Sequence, residues 1–530
     1  MSTTAPGIAR SRGLRGAIAA AAIIVSSAGM LPTSTPHAAA ASTLDCPYQD
    51  PGGITPPAKG KWKVESSSSV LDATGAPART FAGWMVPQEV LEAGDTTYVG
   101  YFDAQKRLTI AKQKAGGAWS SVTLERTLNL DSHARIVLAL DTNGNLHVKT
   151  HTGSSDKLEY WVTTAGDDLK TLKAATMIPR WTATHDGVQY PMEDLANRYS
   201  EFFTGADGEL FFRGRVGSAG GANTIVLEYD AASRAWQLHH PKTGFHGLAI
   251  VFNGWAHAPF TAAYPSEPVK GPDGRFHMIW TWRGDSTADS NSEVHYASSA
   301  DMRTWYNIKG EAVFTRGVVQ FTHGLKSTMV DPVSFHGGLL NGTGMALGFD
   351  DKGKPLVSYY KYVGTGAGKT TQLFTARPEV GTASGWKLTQ VSAWKGLYDL
   401  ERREDSFVGD MNIMTMSASS GAVFDGKYLT LDYTCQTKPH RLYLDPSTGA
   451  RVADLPLPDS SALPAEMLAS VFARGYTITA RQSWSRSSND EGATVLGWEA
   501  GPYNVRGTQD NYTNYPREGS PLTVYRLVRQ

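Results

Sequence analysis

Two histidines at the ends of one predicted hairpin are candidates for acid–base chemistry. His133 follows Asp131-Ser132 and precedes an apolar run, and His151 ends the run that follows the Asn143-Gly144 turn. A hairpin with this turn would bring the two imidazoles to one edge of a sheet. Imidazoles suit proton transfer because they titrate near neutral pH, and they also suit metal ligation. The alternative is that the intervening His147 packs in the hairpin and that His151 is solvated.

A tyrosine and an arginine form the second cluster. Tyr199 and Arg215 lie on two runs joined by Asp207-Gly208, so they can face each other across a strand pair. Arginine presents a planar pair of donors that matches the carboxylate of an acidic substrate. The alternative is that either arginine of this run, Arg213 or Arg215, only pairs with a nearby glutamate on the surface.

Two further clusters combine aromatic and basic residues. Tyr264 precedes the Asp273-Gly274 turn, which leads into Trp280-Thr281-Trp282-Arg283. Aromatic faces beside an arginine suit an acidic sugar, although tryptophans also suit packing between sheets. The last cluster consists of Val330-Asp331-Pro332, His336-Gly337-Gly338, Asn341 and Tyr359-Tyr360-Lys361-Tyr362. Taken alone, this last cluster does not define a site.

Short strands in repeated hairpins are the elements that must position these residues. The chain contains 54 glycines, 14 tryptophans and 22 tyrosines, which favours many strands joined by tight turns. Turn pairs precede apolar or alternating runs at intervals of roughly 60 to 75 residues, somewhat longer than known blade repeats. These turns are Asn143-Gly144, Asp207-Gly208, Asp273-Gly274, Asp351-Lys352-Gly353 and Asp425-Gly426.

Tryptophans close several of the repeated units in a similar way, which is typical of degenerate Asp-box hairpins. They are Trp119, Trp236, Trp305 and Trp386. We expect each tryptophan to pack between neighbouring sheets. The pattern predicts an all-β fold, a seven-bladed β-propeller with four-stranded antiparallel blades. A pair of large β-sandwiches is the alternative. The residues after about 460 are expected to form the blade that closes the ring.

Composition excludes several classes of function. The 530 residues include 50 Lys and Arg and 50 Asp and Glu, so no basic excess exists to bind nucleic acid or an acidic membrane. Two cysteines exclude a disulfide scaffold and a zinc site built from cysteine. Cys46 and Cys435 could pair or remain two separate thiols.

The N-terminus has the pattern of a secretory signal. Three arginines (Arg10, Arg12 and Arg15) precede an apolar run at 17–30, and a run of small residues follows at 38–41. We therefore expect residues 1–41 to be a signal peptide and residues 42–530 to be a single β-propeller catalytic domain. No later stretch is long and apolar enough to span a membrane, so a secreted, extracellular protein is predicted.

The order of the motifs resembles the secreted BNR-repeat propeller family of L-rhamnose-α-1,4-D-glucuronate lyases and related α-L-rhamnosidase-like proteins. It is more distantly similar to the ulvan lyases. The motifs that carry the resemblance are Ala82-Gly83-Trp84, the run 98–103, Asp131-Ser132-His133, Tyr199, the run 207–210, Arg215, Tyr264, the run 280–283, Asn291, the run 295–299, the run 330–333, the run 359–362 and Thr371-Gln372. The chain departs from the family pattern at Ala134, Ser200, Ser292-Glu293 and Tyr360.

The resemblance implies a set of site residues. The catalytic set is His133, His151, Tyr199, Arg215 and Tyr264. The predicted substrate-binding residues are Arg283, Trp282, Asn291 and Lys361. The implied reaction is β-elimination at O4 of glucuronate. Arg215, with Arg283 in reserve, would neutralise the carboxylate, His133 would remove the C5 proton, and Tyr199, Tyr264 or His151 would protonate the leaving oxygen.

The implied partner is an acidic polysaccharide or oligosaccharide substrate, with no nucleic acid and no membrane, and the protein is expected to be a monomer. No cofactor or catalytic metal is required if arginine neutralises the carboxylate, and the sequence leaves a structural calcium ion open. One rival is an α-L-rhamnosidase-type glycoside hydrolase, for which Asp131, Glu201 and Asp331 could supply two carboxyl groups. The other rival is a carbohydrate-binding propeller without catalysis.

Overall fold

The computed structural model describes most of the chain from residue 44 onward. The described residues are 44–54, 60–84, 86–128, 134–151, 159–177, 182–185, 188–191, 197–218, 220–238, 250–256, 260–285, 287–315, 320–400, 414–416, 421–436, 438–458, 462–472, 476, 478–489, 491–501 and 514–530. The predicted signal peptide and residues 129–133, with His133, lie outside them.

The described chain is built from strands, which confirms the all-β prediction. Its strands are rich in valine, threonine and aromatic residues, the side chains that pack well on a pleated surface. Among the described residues, the helices are single turns: one α-helix, α1 (Ala465–Leu468), and 3-10 helices at Leu169–Thr171, Ala288–Ser290, Lys326–Thr328, Gly342–Gly344 and Gly366–Gly368. Within the described ranges, no helix is long and apolar enough to cross a membrane.

The described strands are numbered in chain order. The first nineteen are β1 (Trp62–Ser69), β2 (Arg79–Thr80), β3 (Glu89–Ala93), β4 (Thr96–Phe102), β5 (Arg107–Lys114), β6 (Trp119–Thr127), β7 (Arg135–Leu140), β8 (Leu146–His151), β9 (Glu159–Val162), β10 (Lys173–Thr176), β11 (Thr182–His185), β12 (Val188–Pro191), β13 (Asn197–Thr204), β14 (Leu210–Ser218), β15 (Gly221–Asp230), β16 (Ala235–Leu238), β17 (Ile250–Asn253), β18 (Ala262–Pro265) and β19 (Val269–Lys270). The others are β20 (Phe276–Arg283), β21 (Asn291–Ser299), β22 (Thr304–Tyr306), β23 (Ala312–Thr315), β24 (Met329–Asp331), β25 (Met345–Phe349), β26 (Pro355–Val363), β27 (Thr370–Pro378), β28 (Trp386–Gln390), β29 (Met414–Met416), β30 (Ala422–Phe424), β31 (Leu429–Cys435), β32 (Lys438–Leu444), β33 (Arg451–Pro456), β34 (Thr479–Trp484), β35 (Gly492–Ala500), β36 (Ser520–Pro521) and β37 (Thr523–Arg529).

Most sheets are small antiparallel meanders. Their orders are β3-β4-β5-β6, β7-β8-β9-β10, β25-β26-β27-β28, β29-β31-β32-β33 with β30 also on β31, and β34-β35-β37-β1. Two further pairs are β2-β36 and β11-β12. The first strands of successive meanders contact one another, as β3 does with β7 and with β34, and β7 with β13. These first strands therefore lie side by side.

The largest sheet joins two such meanders. Its path is β13-β14-β15-β18-β20-β21-β22-β23, with β16 and β17 on β15, β19 on β20 and β24 on β21. A single parallel pair, Ala222 with Ala262, connects its two halves. This junction brings the end of β14 and the start of β18 to the same edge.

All five predicted hairpin turns connect paired strands. Asn143-Gly144 joins β7 to β8 and Asp207-Gly208 joins β13 to β14, and the two glycines have φ of 75° and 88°. Only glycine adopts such values without strain, which explains why the turn pairs were visible in the sequence. The other three turns lie between β19 and β20, β25 and β26, and β30 and β31.

Trp119, Trp236 and Trp386 pack between sheets, as predicted, whereas Trp305 packs within the largest sheet. Trp236 packs with Val137 and Tyr160 of the preceding meander. Trp386 packs with Ile279 and Tyr296 of the sheet before its own. Most of the described core clusters therefore lie between sheets and join one meander to the next.

The two ends of the described chain are tied into the same structure. β1 pairs with β37 in antiparallel register, so an N-terminal strand completes the sheet formed by the residues after 460. Cys46 and Cys435, both buried, form a disulfide bond that attaches the N-terminal segment to β31. This settles the open question about the two cysteines in favour of pairing.

Candidate active site

Arg215 of β14 lies against the ring of Tyr199 of β13, as the predicted hairpin requires. The guanidinium carbon is 4.5 Å from the centre of the tyrosine ring. A β-bulge at Tyr199 and Ser200 interrupts the pairing of the two strands, and Tyr199 has φ of 53°. Bulges of this kind re-aim side chains. Tyr199 is 42% exposed and Arg215 is 3% exposed, so an exposed ring covers a buried guanidinium.

Tyr264 of β18 joins these two residues from the other half of the large sheet. Arg215 Nη1 donates a hydrogen bond of 2.5 Å to Tyr264 Oη, and the rings of Tyr264 and Tyr199 are 5.9 Å apart. Arg283, the last residue of β20, also approaches Tyr264, with its guanidinium carbon 5.9 Å from the ring centre. Its Nε donates to the carbonyl of Thr287 at 3.0 Å. The guanidinium groups of Arg215 and Arg283 therefore both lie close to the phenol of Tyr264.

The two arginines change the acidity of Tyr264. Burial by itself raises the pKa of the hydroxyl, but the positive charges of Arg215 and Arg283 outweigh burial, so the pKa lies below its usual value. A phenol with a lowered pKa gives up its proton more readily, and the same positive potential attracts a carboxylate. We call these four residues (Tyr199, Arg215, Tyr264 and Arg283) the arginine–tyrosine cluster. The cluster can bind an anion and transfer a proton at neighbouring atoms.

Ion pairs attach the cluster to a neighbouring sheet. Glu201, which follows the bulge, pairs with Arg213 and lies 3.2 Å from Nη1 of Arg135 on β7. Arg213 also donates to the carbonyl of Ser266. Arg213 therefore pairs with a nearby glutamate, as the alternative proposed, but both residues are buried and do not lie on the surface.

A second carboxylate extends this network. Glu267 lies 3.6 Å from Arg135 and 3.6 Å from Arg486. Burial raises the pKa of Glu267, but Arg486 and Arg135 outweigh burial and lower it. Burial raises the pKa of Glu89 to about 6, and this effect exceeds the opposing effect of Arg486 and Arg135. The network therefore favours the charged form of Glu267 and disfavours the charged form of Glu89.

The two predicted catalytic histidines are described only in part. His133 lies outside the described residues, and of His151 only the backbone is described. β7 and β8 pair so that the backbone of His151 lies opposite Arg135, which itself contacts Glu201. This end of the predicted hairpin therefore faces the strand that carries Tyr199. Among the described residues, no group of three or more His, Cys, Asp or Glu side chains could hold a metal ion.

His147, between the two, is a core residue. It is fully buried, its Nε2 lies 3.4 Å from Asp141 Oδ2, and its ring packs on Tyr229 and Trp236. Burial lowers the pKa of His147, although Asp141 acts in the opposite direction. The alternative stated for His147 from the sequence, packing, is therefore the correct one.

Two predicted substrate-binding residues are buried in the fold. Trp282 is fully buried, with its ring 6.3 Å from that of Phe252. Every residue of β20 before Arg283 is buried, and only Arg283, the last residue of the strand, is partly exposed. Asn291 is also fully buried, and its Nδ2 donates to the carbonyl of Ala288 at 2.7 Å. Trp282 therefore packs in the core and Asn291 supports a turn, and contact of either residue with substrate stays a prediction.

Lys361, the last predicted substrate-binding residue, has a partner within the protein. Its Nζ lies 2.6 Å from Asp331 Oδ2, and Tyr359 Oη donates to the same oxygen at 2.6 Å. Burial and Asp331 both raise the pKa of Tyr359. Because Asp331 matches the charge of Lys361, contact of this lysine with substrate stays a prediction.

A carboxylate and two histidines near Trp282 were not assigned from the sequence. Glu293 Oε2 accepts from His295 Nε2 and from the backbone of Gly324, each at 2.9 Å, and Glu293 Oε1 lies 3.6 Å from His323 Nε2. Burial opposes the charge of Glu293, but its partners, His295 first, lower its pKa overall. The two-residue spacing of Glu293 and His295 on one strand was the available signal. The distant His323 gave none.

Comparison with known protein families identifies one match. The family described as "BNR repeat-containing family member" matches residues 96–394 of this chain. No curated protein has a sequence that matches the chain significantly.

Several solved structures have a similar arrangement of strands. Polysaccharide lyase Uly1 is 13% identical, with a TM-score of 0.52, over 88% of this chain and 99% of that one. A PL25 ulvan lyase bound to a GlcA(1-4)Rha3S saccharide is 12% identical, with a TM-score of 0.49, over 85% of this chain and 100% of that one. A GH93 α-L-arabinofuranosidase of Fusarium graminearum is 11% identical, with a TM-score of 0.35, over 76% and 95%. These structures are β-propellers, so the likeness to Uly1 shows a propeller-like fold.

Proposed function

The chain belongs to the family of BNR repeat-containing proteins, and we propose that it is a polysaccharide lyase. Its proposed reaction cleaves the rhamnose–glucuronate α-1,4 linkage of an acidic plant-type polysaccharide by β-elimination. The observation that carries the proposal is the arginine–tyrosine cluster, in which Arg215 and Arg283 lower the pKa of Tyr264. The fold shared with a polysaccharide lyase supports the class of enzyme. The linkage follows from the resemblance of the motifs.

Each member of the cluster has a role in this reaction. Arg215 binds the uronate carboxylate and stabilises the negative charge that develops when C5 is deprotonated, with Arg283 as the second positive group. The ring of Tyr199 holds Arg215 in place. His133 is the proposed base, and Tyr264 is the proposed acid because its hydroxyl is bonded to Arg215 and is therefore beside the bound carboxylate.

The proposed step balances without a co-reactant. His133 takes the C5 proton, and the electron pair of that bond forms the C4–C5 double bond. The bond between C4 and O4 breaks, and Tyr264 gives its proton to O4. Rhamnose leaves with that oxygen, and the uronate becomes 4,5-unsaturated. His133 and Tyr264 then exchange protons with solvent.

The rival hydrolase reading has less support from the described residues. Glycoside hydrolysis needs two carboxyl groups beside the bond. Glu201 pairs with Arg213 and Arg135, and Asp331 pairs with Lys361 and Tyr359. Both carboxylates are buried in these contacts.

The same proposal covers architecture and location. If the large sheet is counted as two blades joined at Ala222–Ala262, the small meanders bring the total to seven, mostly of four strands. We propose a secreted, extracellular monomer in which residues 1–41 are a signal peptide and residues 42–530 are one catalytic domain. The buried Cys46–Cys435 disulfide supports this location, because disulfides persist in oxidising compartments.

The test is incubation of the protein with a rhamnose-capped glucuronate polysaccharide, such as a plant arabinogalactan gum. Ultraviolet absorbance and free rhamnose are followed together, with His133→Ala and Arg215→Met as comparison variants. We expect rhamnose release with rising absorbance, which reports an unsaturated uronate, and loss of both signals in the variants. Release without absorbance would mean hydrolysis. Binding without release would mean a carbohydrate-binding propeller.

A further inference from the structure

An exposed histidine is held by a buried aspartate beside the Arg283 hairpin. His336 is 63% exposed, and its Nδ1 is hydrogen-bonded to Asp289 Oδ2. Asp289 is only 2% exposed. The backbone N–H of His336 also donates to the carbonyl of Asp289 at 3.0 Å. Two contacts therefore join the same two residues, one through the backbone and one through the side chains.

The loop around His336 is fixed on its other side as well. His336 has φ of 62°, in the left-handed region that a non-glycine residue occupies only when its surroundings impose it. The carbonyl of Gly337 accepts from the backbone of Tyr362 at 2.8 Å, and Tyr362 Oη donates to the carbonyl of Tyr398 at 2.9 Å. The exposed imidazole is therefore preorganised, and a strained backbone that serves an exposed polar group points to function.

Asp289 also determines how the imidazole presents itself. A carboxylate accepts a hydrogen bond, so Nδ1 carries the proton when the ring is neutral. In that tautomer Nε2 is an acceptor. A fixed imidazole acceptor on an exposed face suits a sugar hydroxyl, which is a donor.

The position of this pair is next to the arginine–tyrosine cluster. Arg283 Nε donates to the carbonyl of Thr287, and Asp289 lies two residues further along the same loop. The ring of Phe335, which precedes His336, lies against Gly284, where a Cβ would be 3.0 Å from Phe335 Cε1. The loops on both sides of the pair therefore meet at the residue after Arg283.

We propose that His336 binds a hydroxyl of the sugar to which the reacting glucuronate is attached, and that Asp289 positions it. The proposal rests on the proposed function, because it places His336 one sugar away from the bond that is cleaved. A longer substrate would use this contact and a minimal one would not.

The experiment compares two ligands that differ by that sugar. One is the rhamnosyl-α-1,4-glucuronate disaccharide, and the other is the trisaccharide that carries one more sugar on the reducing side. Binding is measured by calorimetry on the His133→Ala protein, with His336→Ala, His336→Gln and Asp289→Asn added in turn. His323→Gln, a partly exposed histidine on the far side of Phe335, is the matched control.

We expect His336→Ala to weaken trisaccharide binding about tenfold, which equals about 1.4 kcal/mol, and to change disaccharide binding less than twofold. His336→Gln should recover part of the loss, because its amide reaches the place of Nε2. Asp289→Asn should weaken trisaccharide binding less than His336→Ala does, and His323→Gln should leave the ratio of the two affinities unchanged.

Equal losses on both ligands, or no loss on either, would overturn the role of His336. Absence of trisaccharide binding to the His133→Ala protein would overturn it as well. Failure of the proposed function is recognised separately, since the unmodified protein would then form no unsaturated product from either ligand.

Discussion

Replacing Tyr264 by phenylalanine removes the hydroxyl on which two arginines act and keeps the ring. Proton transfer by a positioned acid typically contributes a factor of about 10² to 10⁴, so the barrier should rise by about 2.7 to 5.4 kcal/mol. We therefore expect kcat to fall by that factor. KM should change less than about threefold, because Arg215 and Arg283 remain to bind the carboxylate.

The same variant has a spectroscopic consequence. Since the pKa of Tyr264 is lowered, this residue should ionise before tyrosines whose pKa is ordinary, near 10, or raised. An acid must be protonated to act, so kcat should decline as pH rises through the pKa of Tyr264. In Tyr264→Phe the earliest step of the tyrosinate absorbance titration should be missing.

Tyr296→Phe provides the matched control. Its hydroxyl bonds His277 Nδ1 at 2.6 Å in the same large sheet, and burial raises its pKa. This variant loses a buried phenol hydroxyl without touching the cluster, so kcat and the earliest titration step should stay as in the unmodified protein. The reasoning fails if Tyr264→Phe retains kcat within about threefold, or if its first tyrosinate step is unchanged.

Three further predictions concern stability and binding. Burial raises the pKa of Glu89 from 4.5 to about 6, so the charged carboxylate destabilises the folded protein. Glu89→Gln should therefore raise the free energy of unfolding by about 2 kcal/mol above pH 6 and have no effect below about pH 4.5. Urea unfolding at several pH values tests this, and a loss of stability at neutral pH would contradict it. Replacing Cys46 and Cys435 by serine should lower the free energy of unfolding by about 2–5 kcal/mol, as should a reductant, and equal unfolding curves with and without reductant would count against the bond. Trp282→Ala should lower the free energy of unfolding by about 3–5 kcal/mol and change substrate affinity by less than twofold in the folded fraction. Weaker substrate binding at unchanged stability would instead support the predicted contact of Trp282 with sugar.

The hairpins could be predicted because each turn depends on residues that are adjacent in the sequence. A turn such as Asn143-Gly144 needs a positive φ that glycine supplies, so residue type reports backbone conformation directly. The juxtaposition of Tyr199 and Arg215 followed from one such turn. The contact of Arg215 with Tyr264 was not derivable from spacing, because it crosses a junction made by a single parallel pair of residues.

The burial of individual site residues was harder to predict from the sequence than the hairpins were. Trp282 and Arg283 are adjacent in the sequence, but Trp282 lies within the buried part of β20, whereas Arg283 ends the strand and is partly exposed. Both residues were predicted from the sequence to contact sugar, because a tryptophan beside an arginine suits sugar binding as well as packing between sheets. The contact between His336 and Asp289 was not predicted from the sequence, because these residues are far apart in the chain and meet only when two loops pack together.

Arg213 and Arg215 lie on the same strand but have different partners in the fold. The two are both buried and are two residues apart on one strand, so pattern alone gives them the same role. The bulge at Tyr199 breaks that equivalence: Arg213 pairs with Glu201, which cancels its charge, and Arg215 lies against two tyrosine rings. A tyrosine face, unlike a carboxylate, does not cancel the charge of a guanidinium. The lowered pKa of Tyr264 reports that positive potential prevails at this position, where the proposed reaction requires a carboxylate to be bound. Converting the bulge to a regular pair, by deleting Ser200, would therefore be expected to abolish the site and keep the sheet.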